Sequence, residues 1–128
     1  MRLLLDTQAF LWSSGAPERL SPRARRAIEA GRNEVFLSVA SVWEIAIKTR
    51  IGRLQLTRDV EEFTRERMVE SSLVALPVLL THAIRVASLP DVHRDPFDRL
   101  LVAQAIVEGL HLVTADHRLR DYPVKVVW

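Results

Sequence analysis

Arg94–Asp116, RDPFDRLLVAQAIVEGLHLVTAD, decides the fold class. Asp95-Pro96 is a helix opening, a side-chain cap followed by a proline whose fixed φ and missing N–H suit the first turn. The helix it predicts, Phe97–Glu108, stops at Gly109. Leu110–Thr114 follows at once, a short apolar run ending in polar residues, which reads as a buried parallel strand. A helix feeding a fully apolar strand is one turn of an α/β fold. The same alternation extends outward in both directions.

Leu3–Leu5 and Val35–Leu37 are strands of the same kind, and Leu73–Leu76 and Val124–Trp128 are two more. Between them the sequence predicts helices over Pro22–Ala30 (capped by Ser21), Val39–Arg50 (opened by Ser38 and closed by Gly52) and Arg58–Glu70 (opened by Thr57), with a short one over Thr81–Ala87. Strands separated by helices imply a parallel sheet covered on both faces, a three-layer α/β/α domain. With 128 residues there is room for one core, so residues 1–128 are expected to form a single domain.

Composition narrows the class. A hydrophobic fraction of 48% with 27% charged residues is globular rather than disordered. The absence of Cys removes disulfides, thiolate zinc sites and thiol nucleophiles together. The longest apolar run, Leu73–Leu80, contains Pro77 and is far short of the roughly 20 residues of a membrane span. Asp6 breaks the apolar start, so no secretory signal is read and a soluble cytoplasmic domain with no membrane contact is expected.

In an open α/β sheet, ligands bind beyond the carboxyl ends of the strands. Asp6 follows the first strand, Asp116 follows the fourth, and Asp98 lies in the first turn of the helix before that fourth strand. Glu44 sits on Val39–Arg50, apolar nearly all round and therefore read as a largely buried helix, where Ser41, Glu44 and Lys48 form one polar stripe. Each acid has a plainer role open to it. Asp6 and Asp116 stand where capping carboxylates stand, Asp95 with Asp98 resembles a capping box, and Glu44 pairs with Lys48 at i, i+4. The combination is what points to chemistry, because separate segments deliver four carboxylates to one edge.

Two like charges 4 Å apart repel by about 4 kcal/mol at an effective dielectric near 20. Four carboxylates therefore protonate in part or take up a divalent cation. An all-oxygen site without Cys favours Mg²⁺, with Mn²⁺ possible, over zinc. Leaving these four acids out raises the formal charge from +2 to +6, which suits an acidic, cation-loaded pocket with a basic rim and a polyanionic substrate.

Four stretches, LLLDTQAFLW, LSVASVWEIAIKTRIGRLQL, RDPFDRLLVAQAIVEGLHLVTAD and VKVVW, in this order, resemble PIN domains, and closely the VapC-type ribonuclease toxins of type II toxin–antitoxin pairs. The resemblance spans the whole chain apart from Gln55–Ser72, which matches no motif. It implies a five-stranded parallel sheet of order 3-2-1-4-5 and a Mg²⁺-dependent endoribonuclease. The family's acidic quartet maps onto Asp6, Glu44, Asp98 and Asp116, and its polar helpers onto Thr7 and Thr114. One or two ions are then expected on Asp6, Asp98 and Asp116, with Glu44 completing or orienting the site. Arg99 and Arg94 are candidate contacts for substrate phosphates, whereas His93 and His117 are read as surface or supporting groups.

The implied partners are an RNA substrate, a small antitoxin protein and a second copy of the chain in a homodimer. Phe10, Leu11, Trp12 and the helix bearing Val60, Phe63 and Val69 are candidates for an antitoxin groove, or simply for core. Two other enzyme classes are disfavoured. Phosphotransfer receivers need adjacent acids after the first strand, and haloacid-type phosphatases need an Asp where Gln8 stands. The alternative of another class is a PIN-like module that holds RNA or protein without cutting, which loss of one of the four acids would mark.

Overall fold

The computed structural model describes residues 1–128. Five strands, β1 (Arg2–Leu5), β2 (Glu34–Ser38), β3 (Val74–Leu76), β4 (His111–Val113) and β5 (Val126–Val127), form one sheet of order β3-β2-β1-β4-β5. Every pairing is parallel, with Leu5 opposite Leu37 on one side and Val113 on the other. The expected order 3-2-1-4-5 is the observed one. Because side chains alternate across a strand, each apolar run feeds two cores. Leu3, Leu5, Val35, Leu37 and Val113 join one cluster, while Leu4, Phe36 and Leu112 join the other. Both faces are covered by helices, so the strands carry no polar alternation.

The helices are α1 (Thr7–Gly15), α2 (Pro22–Glu29), α3 (Val39–Arg50), α4 (Val60–Glu70), α5 (Leu80–Val86) and α6 (Pro96–Glu108), with short 3-10 turns at Pro17–Arg19 and His117–Asp121. Three of their ends are set as the sequence indicates. Ser21 caps α2 and Ser38 caps α3 through their hydroxyls, and Gly109 closes α6 at φ 68°, a left-handed conformation that disfavours a Cβ. α4 starts later than expected. Asp59, not Thr57, is its cap, since the Asp59 carboxylate reaches the Glu62 amide at 2.8 Å.

One packing expectation needs correction. α3 is not buried all round: Val39, Trp43, Ile47 and Ile51 are 47, 61, 37 and 59% exposed, one row at four-residue spacing along its outer side. Only Ala40, Ser41, Glu44 and Ile45 are buried. Of the two readings open for Phe10, groove or core, it is core, since Phe10 is fully buried and meets the Phe63 ring edge-on at 5.7 Å. Trp12 is held between Trp128 and the Arg19 guanidinium, and Val69 faces solvent. An apolar cavity does lie nearby, between α3 and α4, about 540 Å³ and lined by Leu37, Val39, Val42, Val60 and Met68 among others.

Sheet order reverses direction at β1, whose neighbours β2 and β4 lie on opposite sides. The carboxyl ends of β1 and β4 thus border the crevice where such sheets take ligands. A backbone hydrogen bond from Asp6 N to Val113 O, 3.0 Å, ties the two strand ends together.

Candidate metal and nucleic-acid site

Asp6 enters this crevice as the cap of α1, its Oδ1 accepting from the Ala9 amide at 2.7 Å. Thr7, the next residue, turns its hydroxyl toward α3 and donates to Glu44 Oε1 at 2.6 Å, with the Ser41 hydroxyl 3.0 Å away. Glu44 is buried; its other oxygen meets Lys48 Nζ at 2.7 Å. Asp95 caps α6, accepting from the Phe97 and Asp98 amides at 2.8 and 3.2 Å. The Asp95 amide donates to His93 Nδ1 at 3.0 Å, so Asp98 plays no reciprocal part in a capping box. Its carboxylate lies 3.6 Å from His93 Nε2. Asp116 closes the group from the end of β4, its amide donating to Thr114 Oγ1 at 3.1 Å.

Asp6, Glu44, Asp98 and Asp116 all line one cavity of about 350 Å³, together with Thr7, Lys48 and Asp95. Counting Asp95, five carboxylates share this space with one lysine in its lining. The electrostatic consequence differs between them. Burial pushes the Asp6 carboxyl up to about 6 against the pull of Thr114 and the Ala9 amide, and the charges of Glu44 and Asp116 add to the rise. Burial also raises Asp98, to about 7, reinforced by Asp95, Asp6 and Glu44 and opposed by His93. Asp116 goes the other way, held near 2 above all by its hydrogen bonds from Arg118.

The donor set suits a hard divalent cation. One nitrogen stands among the oxygens: His93 Nε2 and an oxygen each of Asp98 and Asp116 lie within 4.8 Å of one another. His93 is nonetheless a poor ligand here. Its Nδ1 accepts from the Asp95 amide at 3.0 Å, so the ring proton is on Nε2, which donates to Asp116 Oδ2 at 3.0 Å. A metal on Nε2 would need that lone pair free and the proton on Nδ1, facing an N–H. The imidazole is spent on Asp116, and the carboxylate oxygens are the groups that could hold a hard divalent ion.

The remaining sequence candidates are placed differently. Arg99 is engaged elsewhere: it donates to the Pro90 and Val86 carbonyls at 2.9 and 3.3 Å and to Tyr122 Oη at 3.1 Å. The geometry gives it the bracing of the loop before α6 rather than a phosphate. Arg94 and His117 are exposed, and Thr114 is buried beside Asp6. His93, read from the sequence as a surface or supporting group, does contact Asp116, whereas the sequence did not single out Arg118, whose guanidinium makes a forked contact on Asp116 at 3.0 and 2.9 Å. The one signal for Arg118 was position, two residues after Asp116.

The sequence matches the family model described as PIN domain over residues 3–125. It is 35% identical over 127 residues to Ribonuclease VapC22 of Mycobacterium tuberculosis (strain ATCC 25618 / H37Rv), covering 94% of this chain and 91% of that protein. VapBC2 from Rickettsia felis, solved bound to a DNA fragment from their promoter, is similar in structure with a TM-score of 0.72 at 14% identity, over 98% of this chain and 97% of that one. DNA-bound VapBC from Salmonella typhimurium gives 0.68 at 17% identity, over 98 and 96%. At these identities the structural likeness speaks for the fold alone.

Proposed function

Since the chain belongs to the PIN-domain family, we propose that residues 1–128 act as one divalent-cation-dependent endoribonuclease domain, the toxin of a type II toxin–antitoxin pair. The observation that carries this reading is the shared cavity, in which carboxylates from β1, α3, α6 and β4 converge with too few cations to balance them. Asp6, Asp98 and Asp116 would hold Mg²⁺, with Mn²⁺ as a substitute. When bound, such an ion neutralises the cluster and acidifies a water for attack on phosphorus.

The chain's own residues do the rest. Thr7 and Lys48 fix the two oxygens of Glu44, so that this carboxylate sets the field and orientation of the site without swinging. His93 holds Asp116 by a hydrogen bond and stands 3.6 Å from Asp98. Hydrolysis consumes one water and breaks the P–O3′ bond, leaving a 3′-hydroxyl and a 5′-phosphate. RNA is the substrate class proposed, on the strength of the 35% identical ribonuclease.

Partners form part of the same proposal. A small antitoxin has a seat in the apolar cavity between α3 and α4. A second copy of the chain has one on the exposed row of Val39, Trp43, Ile47 and Ile51, where Trp43 also stacks edge-on against Phe97 at 5.3 Å. No helix is long and apolar enough to cross a membrane; a cytoplasmic location is proposed with the RNA substrate.

The deciding experiment incubates the purified chain with labelled RNA across a Mg²⁺ titration, beside Asp98→Asn and an EDTA control. Cleavage that needs Mg²⁺, returns after EDTA is removed and is absent from Asp98→Asn is expected. Full cleavage in excess EDTA would rule out the metal dependence, and RNA retardation without cleavage would favour the binding module.

A further inference from the structure

Asp116 has no oxygen lone pair to spare. Oδ1 accepts from the Arg118 backbone N–H and from Arg118 Nε, both at 3.0 Å, while Oδ2 accepts from Arg118 Nη2 at 2.9 Å and from His93 Nε2 at 3.0 Å. Four donors meet the roughly four acceptor positions of a carboxylate. A cation that takes an oxygen of Asp116 must therefore displace a donor. The backbone N–H is fixed by the 3-10 turn it belongs to. His93 is 9% exposed and locked from behind by the Asp95 amide. The Arg118 side chain is 61% exposed on a flexible stem, and its only partner is Asp116. It is the donor that leaves.

Resting on the nuclease reading above, we propose that Arg118 is an exchangeable positioning residue, which stands in for the divalent cation on Asp116 and, once displaced, clamps a phosphate of the RNA backbone. The guanidinium fork that fits a carboxylate also fits phosphate oxygens, and it never loses its charge. Released at the mouth of an acidic cavity, it supplies the positive charge that a polyanion needs there. One side chain thus opposes metal binding in the free protein and favours substrate in the loaded one.

The opposition in sign makes the test. Mn²⁺ binding to the wild type and to Arg118→Gln is measured by calorimetry. Binding of a short fluorescein-labelled single-stranded RNA is followed by anisotropy in Ca²⁺ across a salt series, with the RNA checked intact on a gel. Arg118→Gln is expected to bind Mn²⁺ about two- to fivefold more tightly, the worth of one exposed ion pair. It is expected to bind RNA more weakly, with the slope of log affinity against log salt reduced by about 0.7, one phosphate contact on a single strand. Arg120→Gln, on the same turn without contact to Asp116, is the control for general charge and should tighten Mn²⁺ by less than twofold.

Weaker or unchanged Mn²⁺ binding in Arg118→Gln overturns the inference, because Arg118 would then support the metal site rather than compete with it. An unchanged salt slope, or equal tightening in Arg120→Gln, does the same. Wild-type protein that takes up neither Mn²⁺ nor RNA sinks the nuclease reading itself, and this inference with it. Arg118→Lys, which keeps the charge but loses the fork, should lie between wild type and Arg118→Gln in both measurements.

Discussion

The metal-free protein should lose stability as the pH rises from 5.5 to 8, and Asp98→Asn should remove most of that loss. Asp6 and Asp98 titrate in the fold near 6 and 7, above their ordinary 3.8. A raised value means that the native state keeps a proton which the unfolded chain has already released. The stabilisation from such a proton is complete below pH 3.8 and disappears as the pH climbs through the native value. At about 1.4 kcal/mol per pH unit for each proton of difference, the window from 5.5 to 8 costs roughly 2 kcal/mol through Asp98 and roughly 1 through Asp6. For a chain of this length that is a fall of about 10 °C in Tm. Asp98→Asn cannot ionise, so its Tm should fall by only about a third as much. The assay is thermal unfolding by circular dichroism in EDTA at several pH values, then with Mg²⁺. Saturating Mg²⁺ should flatten the wild-type curve by compensating the ionised carboxylates, and should leave Asp98→Asn nearly unmoved. Parallel curves for the two proteins in EDTA would refute the reasoning, whatever their absolute slopes, because contributions from other groups cancel in the comparison.

Three further outcomes follow from the site and its surroundings. Thr7→Val deprives a buried Glu44 oxygen of its donor and should lower cleavage about 10- to 100-fold with little gain in KM, while Thr7→Ser restores it; equal initial rates on a fluorogenic RNA would contradict this. Arg99→Met should destabilise the fold by about 1–3 kcal/mol in urea titrations and leave RNA affinity within twofold of wild type, since its donors hold carbonyls and Tyr122. Trp43→Glu places a charge in the exposed α3 row and should convert a dimer to a monomer in light scattering after size exclusion, and a wild type that is already monomeric would remove that face from the proposal.

The strands and the helix caps were legible because they depend on neighbours in sequence. Apolar runs of three to five residues bounded by polar ones are what a doubly covered parallel sheet demands, and Ser38, Asp95 and Gly109 act within a few residues of themselves. Sheet order was not legible in that way; it came from the family likeness, because no local pattern says which strand lies beside β1. The surroundings of α3 were misread for a related reason. A helix apolar on every side can be buried or can keep one side for a partner, and periodicity does not distinguish the two. Arg118 escaped because its bidentate contact shows in a sequence only as a nearby arginine, and His93 was read as a supporting group without its partner because it meets Asp116 through space.

Capping and metal binding looked like competing explanations for these acids, yet a carboxylate has two oxygens and the structure uses them separately. Asp6 caps α1 with Oδ1, and the same residue lines the cavity. At α6 Asp95 caps through Oδ1, and Asp98, which has no capping task, lines the same cavity beside it. The two roles of Asp6 can therefore be separated by substitution. Asparagine is as good a cap as aspartate and carries no charge, so Asp6→Asn should keep α1 intact, gain stability in EDTA at pH 8 and lose its response to Mg²⁺. Asp6→Ala should lose that response as well, but with a helix start weakened by about 1 kcal/mol relative to the asparagine variant. Matched stabilities of the two variants would mean that the Ala9 contact contributes nothing. An undiminished Mg²⁺ response in both would remove Asp6 from the metal site while leaving it as the cap.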